Sequence, residues 1–140
     1  MSLFDWKAEY SVGSPEIDLQ HRQLFRMAAE LHGAMVNGRG TENVESLLER
    51  LVSYTRHHFS CEERLMRDSG YPGFKEHHEA HEKLAQQVGE FQGRVKGRKV
   101  AVTTEMMRFL RDWLGHHILG ADKKVGAHLQ ARQKSMTALR

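Results

Sequence analysis

The stretch HHFSCEERLMRDSGYPGFKEHHEAHE, residues 57–82, decides the fold of this chain. Its centre, GYPG at residues 70–73, is a turn sequence, because Gly and Pro favour turn conformations and interrupt helices. The segments on both sides have helical periodicity. We therefore predict one helix that ends near Ser69 and another that begins near Phe74. A turn this short makes the two helices antiparallel neighbours.

The two helices around this turn carry pairs of polar residues at the same spacing. His58 and Glu62 are four residues apart near the end of the first helix, and His77 and His81 are four residues apart at the start of the second. Residues at i and i+4 lie on one face of a helix, so each pair can bind one metal ion. In antiparallel neighbours the end of one helix lies beside the start of the next, so the two pairs should meet.

The same periodicity predicts further helices outward from the turn. Ser14 is a good N-cap, and Pro15 suits the first helical position. The predicted helices run from Ser14 to Asn37, from after Thr41 to Ser69, from Phe74 to Lys96, from Thr103 or Thr104 to Gly120, and more briefly from Ala121 to Gln133, with breaks at Gly38, Gly40 and Gly97.

The short connections predict an all-α fold, an up-down-up-down antiparallel four-helix bundle. We expect a single domain over residues 1–140. It would consist of an extended N-terminal arm (1–13), the bundle (14–120), and a short C-terminal helix with a tail (121–140).

Composition excludes several classes of protein. The 140 residues, 39% of them hydrophobic, suit one globular domain, and no apolar run is long enough to span a membrane. The single cysteine, Cys61, excludes an internal disulfide and Cys-rich metal sites. The net charge of +3 is spread along the chain, so we expect no nucleic-acid binding. The first ten residues lack the pattern of a secretory leader, and we expect a cytoplasmic protein.

Histidine is the unusual residue, with ten copies in 140. The apolar seams of the four helices are interrupted by His21, His58, Glu62, His77, His81 and His117. The predicted topology brings all six to the same end of the bundle. Burying unpaired polar groups costs a few kcal/mol each, so this layer should bind a ligand. Asp122 is within reach, but on an ideal helix it lies about 140° from His117. The helix must therefore unwind, bulge or end there.

Imidazole and carboxylate ligands suit iron, zinc, copper or nickel. Five histidines and two carboxylates are more than one ion needs. If Glu62 and Asp122 bridge two octahedral ions together with a solvent oxygen, three histidines complete one ion. The remaining two leave the other ion with an open position, where dioxygen can bind to reduced iron. The mostly neutral ligands favour reversible binding over oxygenation, and we expect no enzyme. The expected pocket wall is Leu24, Phe59, Trp113, Leu114 and Ile118.

The sequence resembles the hemerythrin family, in particular the bacterial hemerythrins. The resemblance covers roughly residues 6–125 and is specific when its motifs are taken together. The matching pieces are Trp6, YSVG at 10–13, IDLQH at 17–21, HFSCEE at 58–63, GYP at 70–72, His77, His81, WLGHHI at 113–118 and Asp122.

The resemblance implies a non-haem centre of two iron ions, ferrous or ferric, with an oxo or hydroxo bridge and O2 as reversible ligand. It implies that His77, His81 and His117 bind the filled iron, that His21 and His58 bind the iron with the open position, and that Glu62 and Asp122 bridge. The implied function is an O2 carrier for transport, storage or delivery. Its candidate partners, besides dioxygen, are a reductase or an O2-consuming protein.

Three histidine doublets leave an ambiguity that the seams resolve in favour of His58, His77 and His117 over their neighbours. A rival pair in the fourth helix is Asp112 with His116, also at i,i+4. We expect Glu63 to be a solvated charge. Cys61 is expected to be an inert thiol.

Two other functions are compatible with the cluster. One is an O2 or redox sensing module whose output is the segment after Asp122. The other is a di-iron redox enzyme that acts on peroxide or nitric oxide.

Overall fold

The computed structural model describes residues 4–37, 41–96 and 101–138, and in these it has a bundle of four long helices. The elements are a 3-10 turn (Ala8–Tyr10), α1 (Pro15–Val36), α2 (Thr41–Ser69), α3 (Phe74–Lys96), α4 (Ala101–His117), a π-helical turn (Ile118–Asp122) and α5 (Lys123–Ala138). Both α1 and α3 pack against α2 and α4. This confirms the predicted all-helical bundle. The predicted breaks at Gly38, Gly40 and Gly97 lie outside the described residues.

The first helix begins where its capping sequence predicts. The side chain of Ser14 accepts a hydrogen bond from the backbone N–H of Ile17, at 3.4 Å, and Pro15 is the first helical residue. This cap satisfies one of the backbone donors that every helix leaves free at its start. It fixes the beginning of the helix that carries His21.

The turn between α2 and α3 is fixed by a glycine in the left-handed region. Gly70 has φ +69°. Its N–H donates to the carbonyl of Arg67, at 3.1 Å, and the N–H of Tyr71 donates to the carbonyl of Met66, at 2.9 Å. This pair of bonds is a Schellman motif, which ends a helix and satisfies its last carbonyls. It reverses the chain so that the end of α2 lies beside the start of α3.

The interior of the bundle divides into an apolar part and a polar layer. The apolar part is closely packed and includes Leu31, Leu48, Leu51, Met106 and Leu110, each exposing at most 1% of its surface. The polar layer includes His21, His58, Glu62, His77, His81 and Asp122, all buried. The polar residues come from the first half of α1, the second half of α2, the start of α3 and the turn after α4. They lie at one end of the bundle, as the topology predicts.

The N-terminal arm is less extended than the sequence suggests. It contains the 3-10 turn at Ala8–Tyr10, and Phe4 is buried. The ring of Trp6 lies 5.6 Å from that of Phe25 in α1, measured between centroids. Aromatic residues therefore attach the arm along α1, because such pairs bury a large apolar area.

The fourth helix begins at Ala101, before the expected start at Thr103 or Thr104, and ends at His117, three residues before the expected end near Gly120. The chain passes from α4 through the π-helical turn directly into α5, which extends to Ala138 rather than Gln133. A π turn keeps the backbone hydrogen-bonded, so Gly120 is accommodated without a break. The division of residues 1–140 into arm, bundle and tail as one domain stays a prediction. In the described part of the chain, no helix is both long and apolar enough to cross a membrane.

Candidate metal centre

Seven side chains of the polar layer form two overlapping groups. In each group the ligand atoms lie within 4.8 Å of one another. The first group contains His77, His81 and His117, the second contains His21 and His58, and both contain Glu62 and Asp122. The structure thus brings together all seven residues that the sequence indicates as ligands. Their role as metal ligands is a proposal.

The two carboxylates each direct one oxygen to each group. Oδ1 of Asp122 lies 3.0 Å from Nε2 of His77 and 3.1 Å from Nε2 of His117, whereas its Oδ2 lies 2.9 Å from Nε2 of His21. The two oxygens of Glu62 are directed at the two groups in the same way. Its Oε1 lies 2.6 Å from Nε2 of His77, and its Oε2 lies 3.4 Å from Nε2 of His58. Carboxylates placed in this way could each offer one oxygen to each of two neighbouring ions.

The π-helical turn is what brings Asp122 into the layer. Asp122 follows His117 by five residues, and in a regular α-helix the two would point in different directions. In a π turn the hydrogen bonds run from residue i to i+5, so these positions come close to one face. Asp122 is fully buried and touches His117 as a result. Of the three distortions that the sequence allows, the structure has the bulge.

Facing imidazole nitrogens show how well the layer fits a metal ion. The Nε2 atoms of His21 and His58 are 3.1 Å apart, and those of His81 and His117 are 3.2 Å apart. Two adjacent nitrogen ligands of an octahedral ion, each about 2.1 Å from it, are separated by about 3.0 Å. The spacing of both pairs therefore suits two nitrogens that share an ion.

The carboxylate oxygens support the same conclusion. Within the described ranges, the buried atoms that have no hydrogen-bond partner include both oxygens of Glu62, both oxygens of Asp122 and Nε2 of His77. They approach one another closely but without hydrogen-bond geometry. Buried polar atoms almost always have a partner, and unsatisfied ones are costly. A pair of cations between the two groups would satisfy them, so the donor set fits two metal ions.

A small cavity borders the group that has two histidines. Its volume is about 10 Å³, which is the space of one water-sized molecule. His21, His58, His117 and Asp122 are among its lining residues. The rest of its lining consists of Leu24, Phe59, Trp113, Leu114 and Ile118, the five residues expected as a pocket wall.

Known proteins are similar to this chain in sequence. Residues 12–129 match the model of the hemerythrin HHE cation binding domain. The bacteriohemerythrin of Methylococcus capsulatus is 33% identical over 94% of this chain and 100% of its own length. The chain belongs to the hemerythrin family. The bacteriohemerythrin of Stenotrophomonas maltophilia is also 33% identical, over 92% of this chain and 86% of its own.

Solved structures agree with the family assignment. The crystal structure of a wild-type hemerythrin superposes with a TM-score of 0.82, covering 89% of this chain and 96% of its own at 32% identity. A point mutant of a hemerythrin superposes with a TM-score of 0.85 and covers 92% of this chain and 98% of its own. The predicted membership in the hemerythrin family and the predicted fold are both confirmed.

The two shared carboxylates, Asp122 and Glu62, lie in an electrostatic environment that suits cations. Burial raises the pKa of Asp122, but the adjacent imidazoles of His117, His21 and His77 outweigh burial and hold the pKa well below its ordinary value. Burial and Asp122 raise the pKa of Glu62, while contacts with His77 and other imidazoles lower it by more. Both carboxylates are therefore ionised at neutral pH, as metal ligands must be.

Two of the histidines have pKa values that are shifted in opposite directions. Burial is the main reason that the pKa of His58 is lowered to about 4, so this imidazole is neutral at pH 7. Burial also acts to lower the pKa of His77, but Asp122 and Glu62 raise it to about 9. In the absence of metal His77 is thus protonated, and a bound cation would displace its proton.

Two residues next to the cluster differ from the expectation: Glu63 was expected to be solvated, and Gln20 was not expected to have a role. Glu63 is not a solvated charge, because it is buried and accepts a hydrogen bond from Nδ1 of His81, at 3.0 Å. Gln20 accepts one from Nδ1 of His58, at 2.7 Å. Metal-binding histidines usually donate their second N–H to such a partner. The sequence shows that each is a polar residue next to a proposed ligand, Glu63 after Glu62 and Gln20 before His21, but the histidine that each contacts belongs to another helix.

The rival pair in α4 does not face the cluster. Asp112 and His116 are both exposed, and a carboxylate oxygen of Asp112 lies 3.3 Å from the guanidinium of Arg111. His117 faces the cluster instead, as the seam of the fourth helix indicates.

Proposed function

We propose that this chain binds dioxygen reversibly at a non-haem di-iron centre and acts as an O2 carrier for storage or delivery. The observation that carries the proposal is the division of the Glu62 and Asp122 oxygens between a group of three histidines and a group of two. The proposed ligands are His77, His81 and His117 for one iron, His21 and His58 for the other, and Glu62 and Asp122 as bridges, with an oxo or hydroxo bridge completing the pair.

The unequal number of histidines explains why one iron can bind a ligand. When bound, the two ferrous ions supply the electrons and the open coordination position that dioxygen requires. His21 and His58 would leave one position of an octahedron free, whereas the three histidines of the other group would complete theirs. The cavity lies on the side of His21 and His58, where the free position is expected.

The apolar wall of the cavity controls what reaches that position. Leu24, Leu114 and Ile118 are each at most 2% exposed, so they separate the cluster from bulk solvent. A cavity of about 10 Å³ holds one water-sized molecule and is too small for organic substrates. Excluding water also removes proton donors from the site. Because protons promote the release of oxygen in a reduced form, their absence favours reversible binding over turnover.

This proposal assigns no enzymatic activity to the chain. Its ligand is dioxygen, and its candidate protein partners are a reductase or an O2-consuming protein. The cytoplasmic location expected from the composition stays a prediction.

Metal analysis combined with an absorption spectrum tests the proposal. The protein is reduced with dithionite, freed of reductant, and examined before and after oxygen is admitted. We expect two irons per chain and near-ultraviolet and visible bands that appear with oxygen and disappear when it is removed. One zinc or no iron would refute the di-iron centre. Two irons with immediate irreversible oxidation would refute reversible binding and favour a redox enzyme acting on peroxide or nitric oxide.

The histidine doublet in α4 supplies a matched control. His117→Gln removes a proposed ligand, and we expect loss of iron or of reversible binding. His116→Gln makes the same change one residue earlier, at an exposed position, and should retain two irons and the oxygen-dependent bands. Equal effects of the two substitutions would contradict the proposed ligand set.

A sensing function is a second candidate, because the C-terminal helix follows Asp122 directly. Nε2 of His128 donates to the carbonyl of Ser69, at 2.9 Å, and Arg132 donates to that of Asp68, at 2.6 Å. Both contacts fix α5 to the end of α2. Truncation of residues 127–140 separates the alternatives. Nearly unchanged O2 affinity and autoxidation favour a packing role for α5, and a large change in either favours coupling between the centre and this helix.

A further inference from the structure

Behind the cluster, a row of polar side chains connects His81 to the surface. Nδ1 of His81 donates to Oε2 of Glu63, at 3.0 Å, and the other oxygen of Glu63 is hydrogen-bonded to Nδ1 of His78. Nε2 of His78 lies 3.0 Å from a carboxylate oxygen of Glu82, which is 70% exposed. Glu63 is thus fixed from both sides, and its carboxylate is directed at the imidazole of a proposed ligand.

The corresponding position behind His58 is chemically different. Nδ1 of His58 donates to Oε1 of Gln20, at 2.7 Å. The acceptor here is a neutral amide, whereas the acceptor behind His81 is a carboxylate. His58 belongs to the two-histidine group and His81 to the three-histidine group, so the two proposed iron sites have unequal surroundings.

The charge of the acceptor changes what the imidazole offers to a metal. A carboxylate attracts the Nδ1 proton more strongly than an amide does, because hydrogen bonds to charged groups are about twice as strong as neutral ones. The imidazole that donates this hydrogen bond therefore becomes a more basic ligand through its Nε2 atom. A more basic ligand stabilises the higher charge of a metal ion.

From this asymmetry we propose that Glu63 is a positioning residue that makes the three-histidine iron the one that is oxidised first. The inference rests on the proposed di-iron centre and adds to it the order in which the two ions change oxidation state. In an anaerobic titration with ferricyanide, the first electron then comes from the ion held by His77, His81 and His117. Ferricyanide accepts that electron and becomes ferrocyanide. The second electron comes from the ion held by His21 and His58.

Potentiometry of the iron-loaded protein tests the proposal. Two one-electron couples are measured without oxygen in the wild type and in Glu63→Gln. We expect the substitution to raise the lower-potential couple, with an effect of about tenfold on the ratio of ferric to ferrous affinity, which is about 59 mV for one electron. Glu79→Gln is the matched control, because it removes the same charge from an exposed position of α3. It should leave both couples nearly unchanged.

The reciprocal substitution keeps the test decisive if Glu63→Gln loses iron. Gln20→Glu places a carboxylate behind His58, and we expect it to lower the higher-potential couple and reduce the separation between the two. The proposal is overturned if Glu63→Gln shifts only the higher couple or no more than Glu79→Gln does. It is also overturned if Gln20→Glu leaves the separation unchanged. A wild-type protein without two irons would overturn the proposed function as well, and metal analysis identifies that case separately.

Discussion

Replacing Gly126 with alanine tests how tightly the C-terminal helix is fitted to the rest of the molecule. Gly126 is a buried residue of α5, and a Cβ atom at this position would lie 1.9 Å from the carbonyl oxygen of Val12 in the N-terminal arm. Ordinary contact begins at 3.4 Å, so the arm and α5 would have to separate by about 1.5 Å. The obstacle is backbone, and no side-chain rotation relieves it.

The expected change in the free energy of unfolding follows from two opposing contributions. Alanine in a helix interior is about 1 kcal/mol more favourable than glycine. Overpacking against a rigid neighbour costs about 1–3 kcal/mol. Gly89→Ala is the matched control, because Gly89 is in α3 and a Cβ there meets no other atom within 4 Å. Since both substitutions gain the same helix propensity, the difference between them isolates the clash, at about 1–3 kcal/mol.

Thermal unfolding of the two variants measures this difference. For a chain of this size about 1 kcal/mol corresponds to about 3 °C, so Gly126→Ala should unfold about 3–9 °C below Gly89→Ala. Asp122 lies one helical turn before Gly126, so we also expect Gly126→Ala to release iron to a chelator faster. Equal melting temperatures for the two variants would refute the close approach of α5 to the arm.

Three further outcomes can be checked with the same protein. Ile118→Ala should retain iron but autoxidise faster, because the cavity wall opens to water. As a large-to-small substitution in the core it should also lower the free energy of unfolding by about 2–5 kcal/mol. Leu119→Ala, at an exposed position, is the control, and an unchanged autoxidation rate in Ile118→Ala would contradict the position of the wall. His77→Ala should lose iron or create a second open position, as seen by metal analysis and azide binding; two irons with unchanged azide binding would count against its role as a ligand. In metal-free protein, the pKa of His58 is about 4 when folded and about 6.5 when unfolded, chiefly because of burial. As the pH falls, the unfolded state therefore takes up a proton at His58 before the folded state does. The free energy of unfolding should fall between about pH 6.5 and 4 for this reason, and urea titrations at several pH values would measure the decrease.

The positions of the cluster residues could be predicted from the sequence because two independent regularities coincide. The i,i+4 spacing of His58 with Glu62 and of His77 with His81 fixes which side chains share a face. The short turn at residues 70–73 fixes which ends of α2 and α3 are neighbours. Both depend on local sequence, and the structure has both.

The partners behind the cluster could not be predicted in the same way. Glu63 is adjacent to Glu62 and therefore points to a different side of α2, which resembles a solvated position when the helix is considered alone. It is buried because His78 and His81 of α3 lie against that side. Such a contact depends on the rotation of two helices about their axes, and spacing along one helix carries no information about it.

The polar layer also explains why the apolar part of the bundle must be well packed. The carboxylates of Glu62 and Asp122 are buried, and in metal-free protein their contacts with the neighbouring imidazoles offset only part of the cost of removing these charges from water. The apolar residues of the other layers, such as Leu31, Leu48 and Leu110, keep the helices in place despite this cost. A bound cation would remove the remaining cost, so part of its binding free energy would become folding free energy. The apolar layers thus hold these carboxylates and imidazoles close together before any cation is bound.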